Sequence, residues 1–200
     1  MSEISMKIGI LSLQGDFKAH AWMLRRLGVD PVEVRQAKQL SSVAGLILPG
    51  GESTTMLNLI ERENLHGPLI EFSTRFPVLG TCAGAILMAV EVRSPAQRSL
   101  RLIDMTIERN AYGRQIESSI RRVEPEDNFI QRTVAGPIEA AFIRAPKIRR
   151  IGEKVTVLAA YDDAPILVEQ GHLMAATFHP ELSNEQRIHT LFLNKIQQEP

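Results

Sequence analysis

The single cysteine of this chain lies in a segment whose spacing is typical of a catalytic nucleophile. Cys82 stands in the sequence Gly80-Thr-Cys-Ala-Gly84, directly after the apolar residues 77–79. This Gly-x-Cys-x-Gly spacing is that of a nucleophile elbow, a sharp turn from strand to helix that exposes one side chain above a sheet. A lone cysteine is more often a small buried apolar residue. The flanking glycines favour the elbow, because they avoid clashes in a strained turn.

An elbow would also favour the chemistry of a thiolate. A thiol at a helix N-terminus lies beside free N–H groups and the positive end of the helix dipole. The first of these N–H groups, that of Ala83, can donate to an oxyanion that develops next to the sulfur. The sequence therefore predicts a nucleophilic Cys82 with an oxyanion donor beside it.

A thiol nucleophile needs a general base, and the chain offers five histidines. His20 falls in the middle of a predicted helix, and His66 and His189 are interpreted as surface residues of helices. His172 begins an apolar strand and lies about 23 Å from its far end, at about 3.3 Å per residue. Only His179 ends an apolar strand, so it is the predicted base.

The two residues that follow His179 support this role. Pro180 restricts the histidine to extended conformations. Glu181 can hold one imidazole nitrogen and leave the other for the thiol. A His-Pro-Glu sequence alone is more often a turn with a solvated acid, but with the elbow it completes a Cys-His-Glu arrangement.

A third segment, PGGEST at residues 49–54, combines two glycines with a carboxylate. The glycines permit a backbone geometry with N–H groups aimed inward. A phosphate cradle is one interpretation, but Glu52 would repel phosphate and no Gly-Lys-Ser/Thr follows. A carboxylate suits an ammonium group better. Arg109 and Arg144 would supply charge for a substrate carboxylate, although a single arginine is more often in a surface ion pair.

These segments must be positioned by alternating strands and helices in the first ninety residues. Strand patterns occur at residues 6–13 and 31–35, within 44–53 and at the start of 77–90, and helix patterns follow Asp16, Ser53 and the elbow. This alternation predicts an α/β fold with a mostly parallel central sheet and helices on both faces. From about 100 to 170, short β-branched segments predict antiparallel strands added to that sheet or laid over it. We expect a single domain over residues 1–200.

The predicted topology brings the chemistry to one place. In open parallel sheets, ligands bind beyond the C-terminal ends of the strands. Four segments leave such ends, at residues 14–16, 50–53, 80–84 and 179–181. Their convergence is the main physical argument for one active site at this edge.

Composition excludes several classes of function. The chain has 23 Lys and Arg against 23 Asp and Glu, so we expect no nucleic acid and no membrane surface as partner. The basic segment KIRRIG, at residues 147–152, is interpreted as a solvated turn. One cysteine and scattered histidines predict neither a disulfide nor a metal site. Without a signal peptide or a membrane-span pattern, we expect a cytoplasmic protein.

Six segments, taken in order, resemble the glutaminase subunits of pyridoxal 5'-phosphate synthase, a family within the class I (triad) glutamine amidotransferases. They are LSLQGDF, LILPGGESTTM, LGTCAG, RNAYGRQ, FIRAP and FHPEL. The resemblance covers about residues 7–196. Gly-x-Cys-x-Gly with His-x-Glu marks the broad class, whereas LQGDF, PGGEST, RNAYGRQ and FIRAP are typical of the vitamin B6 branch. It implies a flavodoxin-like three-layer fold and hydrolysis of L-glutamine to L-glutamate and ammonia.

The resemblance also implies a role for each matching residue. Cys82 would be the nucleophile, His179 the base and Glu181 its orienting partner. The implied glutamine contacts are Gly51, Glu52, Ser53, Arg109, Ile143 and Arg144. The implied oxyanion-hole residues are Gly51, Ala83 and Gln14, the last also near the partner interface. The implied partner is a synthase subunit with a (β/α)8 barrel, which receives the ammonia and builds pyridoxal 5'-phosphate; no cofactor is implied for this chain.

One departure and two alternatives accompany this resemblance. The family usually carries a Gly-Leu pair before the strand at residues 102–108, whereas this chain has RSLRLIDM. A cysteine peptidase or chaperone of the related elbow fold is one alternative, but its members place histidine directly after the cysteine, where this chain has Ala83. The other is a non-enzymatic flavodoxin-like module that binds phosphate through PGGEST, against which Glu52 argues.

Overall fold

The computed structural model describes residues 6–111 and 118–197. Within these ranges the strands are β1 (Lys7–Leu11), β2 (Asp30–Val34), β3 (Leu46–Leu48), β4 (Val78–Thr81), β5 (Ala89–Arg93), β6 (Ile103–Glu108), β7 (Ser119–Val123), β8 (Ile138–Phe142), β9 (Lys147–Ile151), β10 (Thr156–Tyr161), β11 (Ala164–Gln170) and β12 (Leu173–Ala176). The helices are α1 (Phe17–Arg26), α2 (Ser53–Arg62), α3 (His66–Ser73), α4 (Ala83–Met88), α5 (Asp127–Ile130) and α6 (Arg187–Gln197). No helix within these ranges has the length and apolar composition needed to cross a lipid bilayer.

The central sheet has seven strands in the order β2-β1-β3-β4-β12-β11-β10. The five strands from β2 to β12 are parallel, and β11 and β10 extend the sheet in antiparallel fashion. The parallel part follows the order of doubly wound flavodoxin-like sheets. This confirms the predicted α/β fold with antiparallel strands added to a mostly parallel sheet.

Successive side chains of the parallel strands enter two different cores. In β3, Leu46 and Leu48 pack on one face and Ile47 on the other. Helices α2, α3 and α4 cover the first face, and α1 and α6 cover the second. Because both faces are buried, these strands are apolar throughout rather than alternating. The result is the predicted three-layer arrangement.

The middle of the chain forms two small sheets, β5-β6-β9 and β7-β8. The predicted helix after Cys82 ends at Met88, and the next residues form β5, which pairs in parallel with β6. The prediction of a solvated turn at KIRRIG was wrong, because residues 147–151 form β9. Its cations are paired: Arg149 with Glu108 and Arg150 with Asp104.

The segment RSLRLIDM contains a residue in a conformation that glycine favours. Arg101, in the turn before β6, adopts a φ of +57°. This left-handed region is uncommon for residues with a side chain. The guanidinium of Arg101 donates a hydrogen bond of 2.9 Å to the carbonyl oxygen of Val90, which anchors the turn before β6. An arginine side chain therefore stabilises a backbone conformation that is more usual for glycine.

Candidate active site

Cys82 occupies a strained turn between β4 and α4. Its φ of +47° and ψ of −101° lie outside the usual regions for a residue with a Cβ. Two cross-strand hydrogen bonds hold the turn: Cys82 N–H donates to Ala176 O at 2.8 Å, and Gly84 N–H donates to Pro49 O at 3.1 Å. Backbone strain of this kind persists only where the surroundings impose it. The geometry is that of the predicted nucleophile elbow.

The two glycines of the elbow are required by close packing. A Cβ at position 84 would lie 1.9 Å from the carbonyl oxygen of Leu48. A Cβ at position 80 would lie 2.5 Å from Sδ of Met88. Helix α4 therefore approaches β3 and β4 too closely for any side chain at these positions. The glycines serve this close contact as well as the turn.

This packing leads to a stability prediction for Gly84→Ala. The variant should lower the free energy of unfolding by about 2 kcal/mol or more, because backbone atoms must move to admit the methyl group. Gly67→Ala is the matched control, since nothing lies within 4 Å of a Cβ there, and a helical Gly-to-Ala change typically adds up to about 1 kcal/mol. Urea unfolding of both variants measures the difference. Equal unfolding midpoints would contradict the close packing of the elbow.

His179 and Glu181 lie side by side beneath the elbow, and both are buried. Nδ1 of His179 is 2.7 Å from Oε1 of Glu181, which leaves the other imidazole nitrogen for the sulfur. The Cys82 side chain also interacts with His179 and raises the pKa of its imidazole. The sulfur of Cys82 is 3.8 Å from the carbonyl oxygen of Ile143. At this distance the thiol S–H can donate a weak hydrogen bond to that oxygen. The structure thus brings the three predicted triad residues together.

The charges in this cluster favour a protonated imidazole. Burial lowers the pKa of His179, but its interactions with Cys82 and with the Glu181 carboxylate outweigh the effect of burial and raise the pKa to about 10. Burial also raises the pKa of Glu181, yet the interactions with His20 and His179 bring it below its ordinary value. His179 is therefore a cation at neutral pH, held between a carboxylate and the sulfur.

Two histidines that the sequence analysis set aside lie directly behind the triad. His20 and His189 are both fully buried, so the interpretation of His189 as a surface residue was wrong. Nε2 of His20 is 3.0 Å from Oγ1 of Thr81 and 3.4 Å from Oε2 of Glu181. Helical spacing could have indicated that both are buried. His20 lies between Phe17 and Leu24 on the apolar face of α1, and His189 lies one turn before the buried Phe192 and Leu193 of α6.

The loop at residues 14–16 packs against the glycine turn and the triad. Asp16 N–H donates to Gly50 O at 3.0 Å and thereby fixes the orientation of the Gly50-Gly51 peptide. A Cβ on Gly50 would lie 2.3 Å from Cε1 of His179, so the backbone of the turn touches the imidazole. The Gln14 side chain accepts a hydrogen bond of 3.0 Å from Glu52 N–H. The loops at residues 14–16 and 50–53 therefore join the elbow at His179, so all four predicted loops meet there.

The Glu52 carboxylate has a structural partner that the sequence analysis did not assign. It caps α2 by accepting hydrogen bonds from Thr54 N–H at 3.1 Å and Thr55 N–H at 2.6 Å. Ser53 is the first residue of the helix, and its hydroxyl donates to Gln97. Burial raises the pKa of Glu52, but these N–H groups and Arg109 bring it below its ordinary value.

The remaining predicted contacts lie on two sides of the elbow. Arg109 pairs with Glu52 at 3.2 Å and donates to Thr54 at 3.0 Å. Ile143 is more than one-third exposed, with its carbonyl oxygen near the sulfur. Arg144 follows it with a φ of +46° and an exposed side chain. The end of the RNAYGRQ segment, residues 112–115, lies outside the described residues.

One group of potential metal ligands coincides with this cluster. Asp16, His179 and Glu181 each offer a ligand atom, all within 4.8 Å of one another. The His179 nitrogen and the Glu181 oxygen in this group are already hydrogen-bonded to each other at 2.7 Å. We therefore interpret the cluster as part of the triad.

The sequence matches a known family along nearly its whole length. The profile of the SNO glutamine amidotransferase family matches residues 10–198. A curated relative from Solibacter usitatus, named pyridoxal 5'-phosphate synthase subunit PdxT, is 56% identical over 95% of this chain and 99% of its own length. A relative of the same name from Thermosipho africanus is 47% identical over 96% of this chain and 99% of its own.

The fold has a close match among solved structures. A crystal structure described as glutamine amidotransferase superposes with a TM-score of 0.86 and is 41% identical. The match covers 95% of this chain and 98% of the other. Sequence and fold therefore point to the same family, and the matched range includes the elbow and the His-Pro-Glu segment.

Proposed function

The chain belongs to the SNO glutamine amidotransferase family, and on that premise we propose that it is the glutaminase subunit of a pyridoxal 5'-phosphate synthase, acting through Cys82, His179 and Glu181. The observation that carries the residue assignment is the elbow cysteine beside a buried histidine and carboxylate, 2.7 Å apart. The reaction is hydrolysis of the side-chain amide of L-glutamine to L-glutamate and ammonia.

The first half of the reaction transfers the glutamyl group to the enzyme. The Cys82 thiolate attacks the carboxamide carbon, and the carbonyl oxygen becomes an oxyanion. The N–H groups of Ala83 and Gly51 are the proposed donors to that oxyanion; Ala83 stands first in α4, so its N–H has no acceptor within the helix. His179, a cation at neutral pH, gives its proton to the leaving nitrogen as the C–N bond breaks.

The second half releases the product acid. His179, now neutral, takes a proton from water, and the resulting hydroxide attacks the thioester carbon. The C–S bond breaks, glutamate leaves, and the thiolate and imidazolium are restored. Glu181 keeps the imidazole oriented through both halves, with one nitrogen always facing away from the sulfur.

Recognition of glutamine is proposed at the residues around the elbow. Arg109 and Arg144 would bind the α-carboxylate, and Glu52 would bind the α-ammonium group. Because the Glu52 carboxylate is about half exposed and paired with Arg109, substrate would meet a preassembled pair of opposite charges. Ser53, Ile143 and the backbone of Gly51 complete the proposed pocket.

The released ammonia requires a receiving partner. In bulk water it would be diluted and protonated, so direct transfer to a second subunit is chemically sensible. We propose that this partner is a synthase subunit with a (β/α)8 barrel. It would use the ammonia to build pyridoxal 5'-phosphate from a pentose phosphate and a triose phosphate. Gln14 lies in the loop that supports the glycine turn, where docking of a partner would affect the oxyanion donor.

The experiment that tests this proposal measures glutamate release from glutamine by the purified chain, with and without its cognate synthase subunit. We expect low release by the chain alone and several-fold stimulation by the partner. The synthase subunit by itself serves as the control and should release none. Equal release with and without the partner would contradict the coupling, and no release in the complex would contradict the glutaminase.

A further inference from the structure

Behind the proposed triad, a line of buried polar groups runs from Glu181 to α6. Glu181 Oε2 lies 3.4 Å from Nε2 of His20. Nδ1 of His20 lies 3.0 Å from Nε2 of His189. The side chains of His20 and Glu181 are fully buried, and so is the residue His189. Titratable side chains are rarely buried together unless each hydrogen-bond donor among them faces an acceptor.

The charges determine where the protons in this line lie. Burial is the main cause that lowers the pKa of His20 below its ordinary value, and it lowers the pKa of His189 to about 3. Both imidazoles are therefore neutral, with one N–H each. Glu181 is ionised, and none of the described residues hydrogen-bonds its Oε2. The nearest donor is Nε2 of His20 at 3.4 Å, which also lies 3.0 Å from Thr81 Oγ1. An ionised oxygen requires a donor, so the His20 proton belongs on Nε2.

The rest of the line follows from that assignment. With its proton on Nε2, His20 has a bare Nδ1 that accepts from Nε2–H of His189. This leaves Nδ1 of His189 as a lone pair, and that atom is the one in the pair without a partner. If the His20 proton were on Nδ1 instead, it would be donated to Nε2 of His189. His189 would then carry a buried, unpaired N–H on Nδ1, and Glu181 would have no donor. Burying a charged group without a hydrogen-bond partner has the highest free-energy cost. The arrangement with the His20 proton on Nε2 is therefore favoured.

Every charged or titratable group that faces Glu181 fits this arrangement. His179 contacts Oε1 at 2.7 Å, and Asp16, at the start of α1, lies 3.8 Å from His179 Nδ1. His20 comes from α1, and His189 acts from α6 through His20. Cys82 acts on His179 from the elbow. Glu181 is thus held between a cationic imidazole on one oxygen and a neutral imidazole on the other.

We propose that His20 is a positioning residue for the glutaminase reaction, supported by His189: its Nε2–H holds Glu181 ionised and oriented so that Glu181 keeps His179 protonated. This inference rests on the proposed function, because it assigns a role within the same site. His20 is fully buried behind Glu181, so it affects substrate only through the triad. The prediction is therefore a change in turnover with little change in KM.

The test compares two amide variants in the complex with the synthase subunit. In His20→Gln the side-chain amide reaches the position of Nε2 and keeps a donor for Glu181, whereas in His20→Asn it reaches only the position of Nδ1. We expect His20→Asn to lower kcat about 10-fold or more with KM within about 2-fold, and His20→Gln to recover most of the loss. His172→Gln is the control, since His172 contacts Ser73 O at the other end of the sheet.

Two readouts do not require turnover. In the wild type, ¹⁵N NMR of the imidazoles at neutral pH should find His20 protonated on Nε2. In His20→Asn, the pKa of His179 should fall below its wild-type value of about 10. A proton on Nδ1 of His20, equal loss in both amide variants, or an unchanged His179 pKa would overturn the proposal. An inactive wild-type complex with the expected NMR result would instead contradict the proposed function and leave only the contact of His20 with Glu181 supported.

Discussion

Replacing Cys82 with alanine is expected to lower partner-stimulated hydrolysis of glutamine by about 10⁴-fold or more, the scale seen when a covalent nucleophile is removed. The physical reason is that the glutamyl group then has no sulfur to attack its carboxamide carbon. Water would have to attack an unactivated amide directly. Glutamate release in the complex with the synthase subunit measures the effect.

The single cysteine makes this test unusually specific. Alkylation of the wild type with iodoacetamide should abolish hydrolysis after one equivalent has reacted, and prior glutamine should slow the labelling. Cys82→Ala should bind the synthase subunit and unfold in urea much as the wild type does, because the elbow is held by backbone hydrogen bonds. Hydrolysis by Cys82→Ala within about 10-fold of the wild type would contradict the elbow interpretation.

The parts of the site that the sequence predicted are those fixed by local rules. Cys82 was identified because a glycine on either side allows the strained turn, and the structure gives a packing reason for both glycines. His179 was identified because it ends an apolar strand next to a restricting proline. Their approach followed from the topology, since parallel strands deliver their C-terminal ends to one edge of a sheet.

The parts that were missed depend on contacts between distant segments. His20 and His189 are 169 positions apart and meet only when α1 and α6 pack on the same face of the sheet. The sequence analysis placed His189 on the surface and His20 only in the middle of a helix. Helical spacing could have indicated that both are buried, but not that the two histidines and a carboxylate would lie together. Strand β9 was missed because its pairing with β6 depends on residues 39 to 46 positions away.

The residue that caps α2 is ambiguous in the sequence, for a physical reason. Both Glu52 and Ser53 carry a side-chain oxygen at the start of α2, and either one can accept from a free N–H group. The structure selects Glu52, whose two oxygens take two N–H groups. This frees the Ser53 hydroxyl to donate to Gln97. Sequence alone does not distinguish such neighbours.

Replacing His179 with asparagine is expected to lower kcat by about 10³-fold or more, because the variant has no group to protonate the leaving nitrogen or to activate water. In the wild type, kcat should fall as the pH rises above about 10, where His179 loses its proton. His66→Asn, at the start of α3, is the control and should keep the wild-type rate and pH profile. If the kcat of the wild type instead fell as the pH rose above about 6.5, the ordinary pKa of histidine, the ion pair of His179 and Glu181 would be contradicted.

The same variant gives a second, independent reading through stability. The folded-state pKa of His179 lies above its ordinary value, so its contribution to stability is complete below pH 6.5 and is lost as the pH rises to about 10. The wild type should therefore lose unfolding free energy between pH 7 and 10 more steeply than His179→Asn. Urea unfolding at several pH values measures both slopes. Parallel slopes would mean that His179 is neutral in the folded protein and would contradict its raised pKa.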